Sequence, residues 1–118
     1  MSEAKKFAIP RERMRDLVPP MGGCLATDRI MVDGEQIRYM CRASDPKNEM
    51  DSGWQFFAGD ESQDYLDDLS HAGVYALNTV ANYDPDIIPY LESAAPCAFE
   101  KIPGTHRYRP VECPDEES

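Results

Sequence analysis

Between residues 45 and 92 this 118-residue sequence has one basic side chain, Lys47, against eleven carboxylates. That imbalance equals the net charge of the whole chain, −10. Such a field repels nucleic-acid phosphates and anionic lipid, and it attracts basic surfaces. Direct binding to nucleic acid or to a membrane surface is therefore disfavoured. No apolar run approaches the roughly 20 residues of a membrane-spanning helix, and Lys5 and Lys6 are not followed by the apolar stretch of a secretion signal. A soluble, cytoplasmic protein is expected.

Catalytic and metal motifs are also missing. Cys24, Cys41, Cys97 and Cys113 form no CxxC pair and have no histidine at zinc-finger spacing, so reduced thiols are expected in place of a zinc site or disulfides. His71 and His106 stand outside any HExxH pattern. Gly59, Gly73 and Gly104 are isolated and match no phosphate-cradling or dinucleotide loop. Cys97 with His106, or Cys24 after the two glycines of "MGG", lacks the signature of an activated nucleophile. No cofactor and no metal are expected.

The local patterns order themselves as helix, hairpin, strand, helices, hairpin. "PRERMRDLV", residues 10–18, reads as a short amphipathic helix with Met14, Leu17 and Val18 on one stripe. In "CLATDRIMVDGEQIRYMCRA" two apolar, β-branched runs flank Asp33-Gly34, a hairpin signal. That hairpin would put Ala26, Ile30, Val32, Ile37, Tyr39 and Cys41 on one face, and Arg29, Met31, Arg38 and Met40 on the other. "WQFFAG" gives a third strand with Trp54 and Phe56 on one face. A helix over about 61–70 follows, N-capped by Asp60 and ended near Gly73, with Val74 and Leu77 pointing inward. Asp84-Pro85 opens about two more helical turns that bury Ile87, Ile88 and Leu91. "CAFEKI" and "HRYRPVE" form a last hairpin around Pro103-Gly104.

The expected fold is α+β, a mostly antiparallel sheet built from hairpins with a few short helices. Residues 1–23 form an N-terminal extension with a short helix, 24–112 a single α+β domain, and 113–118 a disordered acidic tail. Trp54, Phe56, Ile30, Ile37, Ile88 and Leu91 are the expected core.

The candidate site is the acidic run in "SGWQFFAGDESQDYLDD": Asp60, Glu61, Asp64, Asp67 and Asp68. It is no calcium loop, because counting from Asp60 puts Tyr65 where glycine is needed and His71 where the bidentate glutamate belongs. Asp64 and Asp68, four residues apart, could serve a two-carboxylate hydrolase, but that spacing is common on solvated helices. A face that steers a basic protein partner is the preferred reading.

"DSGWQFFAGDESQDYLDD" and "VYALNTVANYDPDIIPYL", followed by "AFEK", resemble a family of small bacterial proteins first catalogued as a domain of unknown function and later proposed as immunity proteins of polymorphic toxin systems, the immunity protein thirty-three family. The resemblance covers about residues 24–101 and brings no catalytic residue set. It implies a protein that is not an enzyme and that neutralises a toxin by occlusion. The five carboxylates fit electrostatic steering toward a toxin with a basic surface. A small carboxylate-based or metal-assisted hydrolase and a regulatory adaptor are the alternatives.

Overall fold

A computed structural model of the protein describes residues 7–9, 11–20, 22–43 and 51–112. The predicted tail at 113–118 lies outside the described residues, as do Pro10 and most of the polar connection after Arg42. Among the described residues six strands make one sheet: β1 (Gly23–Thr27), β2 (Tyr39–Arg42), β3 (Asp51–Phe57), β4 (Ala72–Ala76), β5 (Cys97–Lys101) and β6 (Tyr108–Val111), in the order β4-β1-β3-β2-β5-β6. Only the β1–β3 pairing is parallel; the others are antiparallel. Among the described residues three short α-helices accompany it, α1 (Asp28–Met31), α2 (Gln63–Asp67) and α3 (Leu77–Tyr83). The fold is α+β, with α1 and α3 packed on β1 and on each other.

The hairpin expected around Asp33-Gly34 does not form. After β1 the chain turns into α1, where the neighbours Ile30 and Met31 are both buried, a helical pattern that strict alternation would forbid. Gly34 ends that turn with φ +77°, its N–H donating to the Ile30 carbonyl at 3.1 Å. The same left-handed glycine that closes a hairpin also stops a helix, and here it does the second. β1 and β2 are consequently separated by β3, and the predicted faces change. Met31 and Met40 are buried, while Tyr39, Cys41 and Val32 are only half-buried.

β3 supplies the centre of the core. Gly23 pairs with Asp51 but Leu25 with Gln55, so β3 bulges at Ser52 and Gly53. Gly53 has φ +87°, and a Cβ there would lie 2.6 Å from the Ala43 carbonyl oxygen, so only glycine fits. Beyond the bulge Trp54 and Phe56 stack at 5.8 Å on the helix-covered face. The Trp54 indole N–H donates to the Leu91 carbonyl at 3.1 Å, which satisfies its one polar atom. Around them Ile30, Ile37, Met40, Leu77, Ile87 and Leu91 are buried, each worth about 1.5–3 kcal/mol relative to exposure. Ile88 is half-buried at the core's margin.

The N-terminal segment is strapped to α3 in place of folding into the expected helix. Only Arg11–Arg13 makes a 3-10 turn. Beyond it Asn78 Oδ1 accepts from Leu17 N at 2.6 Å and Val18 N at 3.1 Å, and Asn82 Oδ1 accepts from Arg15 N at 2.9 Å. Both asparagine amides donate back to the Arg15 carbonyl. These side chains hold the backbone of Arg15, Leu17 and Val18 in place of helical partners, so beyond Arg13 no helix forms and Leu17 remains 39% exposed.

Asp84 caps a 3-10 helix at Pro85–Tyr90 by accepting from Asp86 N at 3.2 Å, as Asp-Pro promised. Its other oxygen accepts from Ile37 N at 3.1 Å and from Lys101 Nζ at 3.0 Å, all three groups being buried. Lys101 also reaches Asp86 at 3.2 Å, and His106 Nδ1 lies 2.9 Å from the same carboxylate. Burial opposes ionisation of Asp86, yet His106 and Lys101 together hold its carboxyl below the usual range. The network fastens the β5–β6 hairpin, turned at Pro103-Gly104 as expected, to the 3-10 helix beneath it.

Candidate functional site

The acidic run begins where β3 leaves the sheet. Glu61 turns inward: its Oε2 accepts from Thr27 Oγ1 at 2.5 Å and Ala58 N at 2.8 Å, and its Oε1 from Gly59 N at 2.9 Å. Asp60 faces Arg29, whose Nε and Nη2 donate to its two oxygens at 3.1 and 2.5 Å while Nη1 reaches Asp33 at 3.0 Å. The hydrogen bond from Arg29 is the chief reason the Asp60 carboxyl sits below its ordinary value. Ser62, not Asp60, caps α2, its Oγ accepting from Tyr65 N at 3.1 Å. Asp60 is committed to α1 and cannot reach the helix.

The remaining three carboxylates are exposed. Asp64 stands in the first turn of α2 and Asp67 accepts from Gln63 Nε2 at 2.8 Å. Asp68 leaves the helix with extended backbone, so it does not continue the row that Asp64 begins. It accepts from Ser70 Oγ at 2.7 Å and Ser70 N at 3.0 Å, which lowers its carboxyl. His71 follows in a 3-10 turn at Leu69–His71. Its ring stacks on Tyr65 with centroids 4.1 Å apart, and its Nδ1 lies 2.9 Å from the Tyr65 carbonyl, which places the proton on Nδ1. The other ring nitrogen is 3.7 Å from Asp68.

Beside this run a groove of about 510 Å³ opens on the sheet face away from α1 and α3, with Tyr39, Phe57, Leu66, Arg38, Glu61 and Glu100 among its walls. Tyr39 and Phe57 are cross-strand partners with rings 5.8 Å apart. Asp64, Asp68 and His71 do not line it. The acid and histidine pair that a hydrolase would need thus meets on open surface, outside the groove.

Elsewhere, Cys24 is buried, and burial with Asp51 beside it pushes the thiol up to about 12, away from nucleophilic use. Cys97 opens β5 while His106 lies in the turn at that strand's far end, so the two are not neighbours. Cys24, Cys41 and Cys97 form no disulfide. Among the described residues no group of three potential ligands is placed to hold a metal, and no helix is long and apolar enough to cross a membrane.

One surface feature was not foreseen. Val74, expected to point inward, is 79% exposed, because residues 72–76 form a strand at the sheet's edge where a helix end was expected. A five-residue strand between two helical turns shows little periodicity, and "AGVYA" offers no charge to fix its phase.

A family model described as the Immunity protein Imm33 domain matches residues 24–112. No curated protein and no solved structure matches the chain.

Proposed function

The chain belongs to the Imm33 immunity-protein family, and from that premise we propose that it is a cytoplasmic binding protein that neutralises a toxin by occlusion, with Asp60, Glu61, Asp64, Asp67 and Asp68 as the segment facing the toxin. Family membership implies a toxin protein as partner and a binding role in preference to a catalytic one. The observation that carries the finer reading is the placement of Asp64, Asp67 and Asp68. All three are exposed on α2 and its exit, with no basic side chain between Asp60 and Ser70 to neutralise them.

The two ends of the run contribute differently. Glu61 and Asp60 fix the loop to Thr27 and Arg29, so the exposed three are presented from a braced turn. A braced charge cluster raises the encounter rate with a basic surface without first paying to order a loop. Occlusion then depends on shape, for which the adjoining aromatic groove and the sheet surface beside it provide area.

The test is the association rate, as a function of ionic strength, with the toxin that co-purifies from the native host. The wild-type protein should associate more slowly as salt rises, and Asp64→Asn, Asp67→Asn, Asp68→Asn together should slow association and flatten that dependence. Equal rates and equal salt slopes would remove the acidic segment from the interface. A hydrolytic turnover abolished by the same triple change would favour an enzyme.

A further inference from the structure

The sheet ends in two strands that differ in how they treat water. β6 carries Arg107 just before it and Arg109 and Pro110 within it; charge and a missing backbone N–H both discourage a further strand from pairing there. β4, Ala72–Ala76, has neither. It pairs on one side with β1 over all five residues, and among the described residues no strand lies on its other side. Its sequence, Ala-Gly-Val-Tyr-Ala, contains no charge and no proline. Val74, the most exposed large apolar side chain among those described, sits at its centre.

Such an edge offers a row of backbone donors and acceptors together with an apolar contact, the two elements that strand addition uses. The choice of occupant follows from charge. The 3-10 turn joining α2 to β4 places Asp67 and Asp68 a few residues before Ala72, and both are exposed. A second copy of this chain would bring a further net charge of −10, whereas a basic segment is attracted. We infer that the β4 edge receives an extended, lysine- or arginine-bearing segment of the neutralised protein as an added strand, with a small apolar side chain opposite Val74 and a basic one toward Asp67 and Asp68. This inference rests on the binding role proposed above and assigns it a contact geometry.

The probe is a short, end-blocked peptide of alternating lysine and valine, added at low salt to the intact protein, with amide hydrogen exchange read residue by residue. Amides within Ala72–Ala76 that do not serve β1 should slow by about tenfold or more, and a glutamate–valine peptide of equal length should have no such effect. Val74→Lys, at a site open enough to leave the fold intact, should abolish the protection, and Val74→Thr should keep it. Absence of binding, protection at Tyr108–Val111 in its place, or perturbation of Asp64, Asp67 and Asp68 without slowed exchange in β4 would each overturn the inference. So would a dimer in sedimentation that Val74→Lys dissolves, since the edge would then belong to a second copy. Failure here is separable from failure of the binding role: a toxin that ignores Val74→Lys but responds to the triple asparagine change sinks only the strand-addition geometry.

Discussion

Asp84 and Asp86 lie against Lys101 under the last hairpin, whereas Asp64, Asp67 and Asp68 stand in water on α2 and its exit. The residue type is the same and the sequence neighbourhoods are similarly acidic. What separates them is the partner each finds. Asp84 has a lysine, the backbone N–H of Ile37 and that of Asp86, so every oxygen is engaged and its burial is tolerable. The exposed three have at most a glutamine, a serine or a histidine. The first group is tied into the fold; the second is open to solvent.

The largest effect should come from breaking the buried group. Lys101→Met removes the cation that pairs with Asp84 among the described residues and leaves a buried carboxylate with backbone donors, which should cost about 3–5 kcal/mol. Urea denaturation measures it. A loss under about 1 kcal/mol would mean that water reaches Asp84 and that the two groups of carboxylates differ less than their burial indicates. Leu91→Ala should follow at about 2–5 kcal/mol, since Leu91 is buried beside Trp54 at the end of the helix that carries Asp86. Ile88→Ala, on the same helix but half-buried, should cost clearly less, and equal costs would contradict the assigned face.

The contrast was only partly legible beforehand. Asp84-Pro85 states a helix start in two residues, and Pro103-Gly104 between two β-rich runs states a hairpin; both are local signals whose meaning does not depend on what they pack against. Asp33-Gly34 states only that the backbone turns left-handed. Whether a strand or a helix ends there was decided by β3, which enters between β1 and β2 from far along the sequence. The acidic run was visible as a composition, but its division was not. Arg29 and Thr27, which claim Asp60 and Glu61, are about thirty residues away and carry no mark of that pairing.

A smaller effect should appear in acid. Hydrogen bonds from His106 and Lys101 keep Asp86 below the ordinary aspartate value despite the opposing effect of burial. Its folded-state pKa is therefore lower than in the unfolded chain, so the group adds stability above about pH 4 and loses it as pH falls through the lower folded value. Thermal unfolding followed from neutral pH down to about pH 2 should show this fall, and Asp86→Asn should flatten it. An unchanged acid limb in the variant would assign the loss of stability to other carboxylates.

The smallest effect on folding, and the one on which the functional reading turns, should come from the exposed group. Asp64, Asp67 and Asp68 lie within five residues of one another on a single short helix and its exit, so removing their charge relieves mutual repulsion. Against that, Asp67 and Asp68 accept hydrogen bonds from Gln63 and Ser70, which an asparagine carbonyl can still accept, though less strongly than a carboxylate. The triple asparagine variant should therefore unfold at the same midpoint as the wild-type protein or slightly above it. Proteins retain mutually repelling charges at no benefit to the fold where the charge serves an external partner, so an unchanged midpoint combined with slower association would be the signature of a steering face. A marked drop in midpoint would instead place these carboxylates with Asp84 and Asp86, as parts of the fold. The two groups would then differ in exposure but not in purpose.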